Sequence, residues 1–549
     1  MKGVARLFAL LATVLALCAA PAAAQGYGNG EREEEGASAV DRTRIDPYIE
    51  ASQIFTWQLS PGDDVVTYTQ VAAGVDAQLR GRNSGAAVSV RYERNFAWDD
   101  NARDTDRITG IARAYTAIIP RTLQVEAGAL ASRTRTAGTG GSVIAPIIGD
   151  DDTTTKTYSL YAGPTLTTRV EDVQIDANYR IGYTRIDGPD FVTLQGDEVD
   201  LFDESVSHSA MVRAATSPGM PFPVGVGAGA GFYQEDIDNL DQRVRDAYVR
   251  GDVTIPVSRT LAIVAGAGVE DVEVSSRDAI RDVDGNPVIG SNGRYLVDKS
   301  SPRRIAYEAD GLIWDVGVIW RPSSRTQLQA TFGRRYDSDT FYGSFNWQPS
   351  SRSNVSIGVY DSLQGFGGRV NDALATLPTD FDVLRDPVSG DITGCTSPTV
   401  GSNCLAGLLG SVRSSVFRGR GVVASYSHRV GLMTAGIAAG YDNRKFIAAQ
   451  GTVLAAANDV VDESYYVTAG VSGPIWEGSF SVNTFGSWFD SGVGEFGDTF
   501  SYGSSASYYQ SIWQNLSARA AVSIYAVDSE LSEADIRAAT ALLGLRYDF

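Results

Sequence analysis

The chain holds two histidines, and serine stands beside each: Ser207 and Ser209 flank His208, and Ser427 precedes His428. A serine next to a base is the least that nucleophilic hydrolysis requires. The spacing opposes it here, because neighbouring residues of a strand point to opposite faces. Paired acids such as Asp236 and Asp238, or Asp282 and Asp284, are the residue types that cap turns. Asp282-Val283-Asp284-Gly285-Asn286 carries part of a calcium loop's alternation but lacks the closing Glu. Glycine runs such as Gly225-Val226-Gly227-Ala228-Gly229 lack the strand–turn–helix setting of a phosphate loop. The reading is a protein that is not an enzyme and needs no cofactor or metal.

What remains is a set of charges inside alternating segments: Asp76, Arg80, Arg91, Asp176, Arg180, Arg519 and Arg546. On strands closed into a barrel these would line a lumen. Mixed charges there either hydrate a pore for polar solutes or pair into a ladder that seals it. The pattern leaves both readings open.

The elements that would position them are strands. Val173, Ile175, Ala177, Tyr179, Ile181 and Tyr183 alternate with Gln174, Asp176, Asn178, Arg180, Gly182 and Thr184. Leu516, Ala518, Ala520, Val522 and Ile524 alternate in the same way. At the C-terminus Leu543, Leu545, Tyr547 and Phe549 share one face, while Gly544, Arg546 and Asp548 share the other. This tail reads as the assembly signal of an outer-membrane barrel, handed to the barrel assembly machinery.

The expected fold is all-β: one transmembrane antiparallel up-and-down barrel of about 22 strands, in the range of roughly 16 to 24. Short turns (81–85, 120–121, 217–219, 321–324) alternate with long loops near 137–154, 186–205, 233–244, 275–305, 365–415 and 444–462. The short turns are expected in the periplasm and the long loops outside. The eight tryptophans lie mostly near strand ends, which suits an interfacial girdle, about half of them belonging to it.

Residues 1–24 read as a signal peptide: Lys2 and Arg6, an apolar Leu7–Cys18 stretch, then Ala22-Ala23-Ala24. Leu17 before Cys18 opposes lipidation. Residues 25–44 read as a flexible acidic periplasmic lead-in, and 45–549 as the barrel. Cys395 and Cys404, in an exported chain, read as a local disulfide. The formal charge of −20, from 66 acidic and 46 basic residues, excludes nucleic acid as a partner. Acid-rich loops, such as 150–152 and 197–204, would meet lipopolysaccharide and divalent cations, or simply keep the loops solvated.

Two stretches carry a family resemblance. The first runs Gly333-Arg334-Arg335-Tyr336-Asp337-Ser338-Asp339-Thr340-Phe341-Tyr342, through Trp347-Gln348-Pro349-Ser350-Ser351-Arg352, to Val355-Ser356-Ile357-Gly358-Val359-Tyr360-Asp361-Ser362. The second joins Arg91-Tyr92-Glu93-Arg94-Asn95-Phe96 to Leu123-Gln124-Val125-Glu126-Ala127-Gly128-Ala129-Leu130-Ala131-Ser132-Arg133. Together they resemble the outer-membrane barrel family associated with the PEP-CTERM/exosortase system, found beside exopolysaccharide gene clusters. The chain is also similar to sphingomonad barrel proteins sometimes labelled preprotein translocase subunit YajC. That label describes a small protein with one membrane helix, which this sequence lacks. The resemblance implies an outer-membrane setting and polysaccharide-export components as partners; it brings no catalytic residues.

Three functions follow in order: a passive pore or exporter for polar solutes, linked to surface polysaccharide; a sealed structural barrel acting through its outer loops; and, last, a Ser–His barrel hydrolase.

Overall fold

The computed structural model describes residues 42–549 except positions 61, 63, 99–103, 137–141, 144–153, 190, 193–197, 201–203, 220, 380, 398–402, 405–412, 494–496 and 531–534. The expected signal peptide and most of the lead-in therefore lie outside the described residues. Twenty-two long strands, each antiparallel to the next, form one sheet. The sheet closes because the first strand, Arg42–Ser60, pairs with both the second, Val65–Arg80, and the last, Ile536–Asp548. Closure leaves no row of unpaired backbone groups, a condition any sheet in hydrocarbon must meet.

Alternation decides which face each residue takes. Along the first strand Glu50, Ser52 and Thr56 are buried, while Ile45, Ile49, Phe55, Trp57 and Leu59 are exposed. The last strand repeats this with Leu543, Leu545 and Tyr547 exposed, and Phe549 follows at 68%. Polar residues inside and large apolar ones outside is the reverse of a soluble sheet protein and the surface of an outer-membrane barrel. All eight tryptophans are exposed on this exterior. Trp98, Trp476 and Trp513 stand just beyond strand ends.

Both described ends of the chain and the short turns, such as 81–83, 171–172, 351–352 and 431–432, lie at one end of the barrel; loops 277–303 and 447–460 lie at the other. Two expectations about the long loops are corrected. Residues 233–244 are mostly strand: Gly225–Ile237 and Gln242–Pro256 are joined by a tight turn at 238–241. The segment from Gly365 onward, expected to be an outer recognition loop, folds back into the barrel. Among the described outer residues, those at 238–241, 277–303 and 447–460 pack together. Leu240, Ala279, Ala448 and Leu454 share one apolar cluster, and Arg294 pairs with Asp200 and Asp238.

Candidate functional site

The lumen is the candidate site, and the re-entrant segment organises it. After the fifteenth strand, Ser353–Gln364, the chain forms the helix Phe366–Thr376. Phe366, Val370 and Leu374, four residues apart, are all sealed from solvent against the wall, with Ile111, Leu130 and Ile186 in the same cluster. Burying three such side chains contributes on the order of 5 kcal/mol. The helix lies against the fifth to eighth strands: Leu123–Thr136, Thr154–Val170, Val173–Asp187 and Glu204–Thr216.

Its first turn has no side-chain cap of its own. Glu235, fully buried on the ninth strand, accepts hydrogen bonds from the Gly365 (2.7 Å) and Gly368 (3.0 Å) amides and from the Tyr233 hydroxyl (2.6 Å). A wall carboxylate thus satisfies orphan donors of a helix start, where negative charge is favoured. Glycine is required at this contact. A Cβ on Gly367 would lie 1.9 Å from Ser205 Oγ, and one on Gly368 1.8 Å from Tyr233 Oη.

Further down, Asn371 accepts from Ser159 (2.9 Å) and donates to Ser207 (3.3 Å), and Arg180 reaches Asp372. Gln78, near the short-turn end, donates to the Phe381 carbonyl. The segment then climbs again: Arg385 donates to Thr109 and Ser89, and Asp391 pairs with Arg133. At its lowest point it leaves a cavity of about 250 Å³ lined by Asp76, Gln78, Phe381, Val383, Arg546 and Asp548. Asp386 closes a turn by accepting from the Val388 and Ser389 amides, and burial pushes its carboxyl above the ordinary value.

All seven predicted lumen residues face the interior, but most are not free to meet a solute. Arg91 (2.5 Å), Arg519 (3.1 Å) and Arg546 (3.3 Å) converge on Glu50, a residue the sequence reading did not single out. Arg91 and Arg107 both pair with Glu93. Arg180 pairs with Glu126, Asp176 accepts from Gln174, and Asp76 lies 3.9 Å from Arg546. Arg80 stands at the short-turn rim, exposed. A second ladder joins Arg213, Asp252, Arg250 and Asp315. Glu50 was hidden because its partners lie in three other strands, which no local pattern links.

The histidines are not assembled for catalysis. His208 Nδ1 meets the Tyr179 hydroxyl (2.8 Å) on the exterior, while Ser207 faces the lumen and Asn371. His428 Nδ1 meets Ser353 Oγ at 2.7 Å, across the strand pair rather than its neighbour Ser427. Among the described residues no cluster of three His, Cys, Asp or Glu could hold a metal. Asp282 accepts from the Asp284 and Asn286 amides, as a turn cap does. Cys395 and Cys404 stand directly opposite each other in a short strand pair of the re-entrant segment.

No family model and no curated protein matches the chain. Among solved structures it is similar to the FrpB iron transporter from Neisseria meningitidis, at 11% identity and a TM-score of 0.43, covering 92% of this chain and 82% of that one. It is also similar to the ferric-catecholate import receptor Fiu from E. coli K12, at 10% identity and a TM-score of 0.44, covering 92% and 82%. A third is the siderophore receptor PiuA from Acinetobacter baumannii, at 9% identity and a TM-score of 0.41, covering 91% and 82%.

Proposed function

We infer that this protein is an outer-membrane channel for polar solutes whose constriction is set by the segment from Gly365 to Ser397. One observation carries the reading. A segment of the chain descends most of the barrel's height and is held to the wall by polar contacts as well as by its apolar face. A barrel serving only as a scaffold has no need of a segment lodged along one side of its lumen. The family resemblance adds a setting, surface polysaccharide and its export components. Lipid and lipopolysaccharide would contact the exterior, and the barrel assembly machinery would recognise the tail.

The sealed structural barrel is the second reading, favoured by the outer loops that pack together. Planar bilayers separate the two. Purified protein should give stepwise conductance, and a variant lacking residues 366–392 should give larger steps. Silence from both proteins would favour the sealed barrel.

A further inference from the structure

The inner wall is electrically lopsided. The strands that carry the Glu50 and Asp315 networks present paired charges. The fifteenth to twentieth strands do so only toward their outer ends, where Asp442 pairs with Arg444 and with Arg369 of the re-entrant helix. Their inner faces register in rows that cross the wall. One row runs Asn354, Ser427, Gly436, Gly470, Asn483 and Ser505; the next runs Ser356, Ser425, Ala438, Thr468, Phe485 and Gly503. A third adds Tyr466, Ser487 and Ser501. No carboxylate, guanidinium or ammonium group occurs in these rows; Asp442, Arg444 and Asp462 stand toward the outer end and Arg429 at the short-turn end.

The body of the re-entrant helix lies against the opposite wall, and its Arg369 reaches across to Tyr360 and Asp442, above these rows. Asn483, Phe485, Thr468 and Tyr466 are half-buried.

We propose that this uncharged sector is the path of an uncharged, polyhydroxylated solute, an oligosaccharide in chemical class; the proposal rests on the channel reading above. Hydroxyls and amides exchange hydrogen bonds with a polyol at little net cost, much as they do with water. Tyr466 and Phe485 offer apolar faces to the C–H surfaces of a sugar ring. A charged solute would shed hydration there and meet no counter-charge within the rows.

The test uses the full protein in planar bilayers, with maltohexaose as the neutral probe and an oligogalacturonate of equal length as the charged one. Maltohexaose should interrupt the current at concentrations about tenfold lower than oligogalacturonate does, a difference of about 1.4 kcal/mol. Asn483→Asp, nearly isosteric, should weaken that block about fivefold and raise cation selectivity. A conducting channel that blocks equally with both probes, or an Asn483→Asp channel indistinguishable from wild type, overturns the path while leaving the channel. A wild type that never conducts overturns the channel reading and the path with it.

Discussion

Glu50 and Arg519 stand 469 residues apart in the chain and 3.1 Å apart in the barrel, both nearly sealed from solvent. The pair ties the first strand to the twenty-first, Leu516–Ser529, across the seam where the sheet closes. Arg91 and Arg546 complete the cluster. Arg91 would keep Glu93 and Arg546 would keep Asp548, but removing Glu50 takes the carboxylate from Arg519 in a buried site, where a broken pair is costly. Glu50→Ala should therefore cost about 3–5 kcal/mol. Denaturant unfolding in detergent, followed by heat-modifiable migration, would measure it. A loss below about 1 kcal/mol would mean that water reaches the cluster and screens it.

The contact between the helix and the wall predicts a different result. Gly368→Val would drive side-chain atoms into Tyr233 Oη and Glu235 Oε2. Glu235 cannot retreat without leaving the helix amides unpaired, nor Tyr233 without giving up its bond to Glu235. The helix should lift from the wall, exposing Arg369 and Arg385 to trypsin while the barrel stays folded. Cleavage no faster than in wild type would show that the segment is anchored elsewhere.

How far the sequence foretold this arrangement depended on the range of the signal. Alternation is local, so the tail and the segment 173–184 could be oriented from their own residues, and Phe549 and Tyr179 both face outward as read. The paired turn and loop lengths likewise placed both described chain ends together. The part of the expected loop 365–415 that enters the barrel, from Gly365 to Ile392, was misplaced because its helix is short. Phe366, Val370 and Leu374 do carry a helical period that could have revealed it. The pairing of the lumen charges was beyond reach, since Glu50 meets arginines from three other strands.

Asp386 makes the segment's packing depend on pH. Its folded-state carboxyl titrates above the ordinary 3.8, chiefly through burial, although the Ser389 and Val388 amides oppose the shift. A raised carboxyl favours the protonated form in the packed state. That contribution is fully present below the unfolded value and is lost as pH rises through the raised one. The turn 386–391 should thus exchange its amide protons more readily, after correction for intrinsic rates, as pH climbs from about 4 toward neutrality. Asp386→Asn keeps an acceptor for both amides and should flatten the trend. An unchanged trend in that variant would assign it to another group.

Cys395 and Cys404 face each other across an antiparallel pair, where directly opposed Cα atoms lie within disulfide reach. Exported protein should show no free thiol until it is reduced. Titration of two thiols in denaturant without reductant would remove the cross-link from this account.

Phe549 ends the chain against the first strand: its amide donates to the Pro47 carbonyl (3.0 Å), and its ring meets Tyr547 edge-on with centroids 5.0 Å apart. Neither contact is large. One exposed backbone hydrogen bond and one aromatic pair contribute roughly 1 kcal/mol each, so deletion of Phe549 should leave the finished barrel nearly as stable. Its effect should appear earlier. If the alternating tail Leu543, Leu545, Tyr547 and Phe549 is what the assembly machinery reads, the deletion should lower the amount of folded barrel in the outer membrane several-fold. Protein that does fold should still unfold at the wild-type denaturant midpoint. Pulse-labelled cells, comparing folded with unfolded species over time, would separate the two effects. Equal assembly rates with a reduced midpoint would make the residue a structural clasp and nothing more.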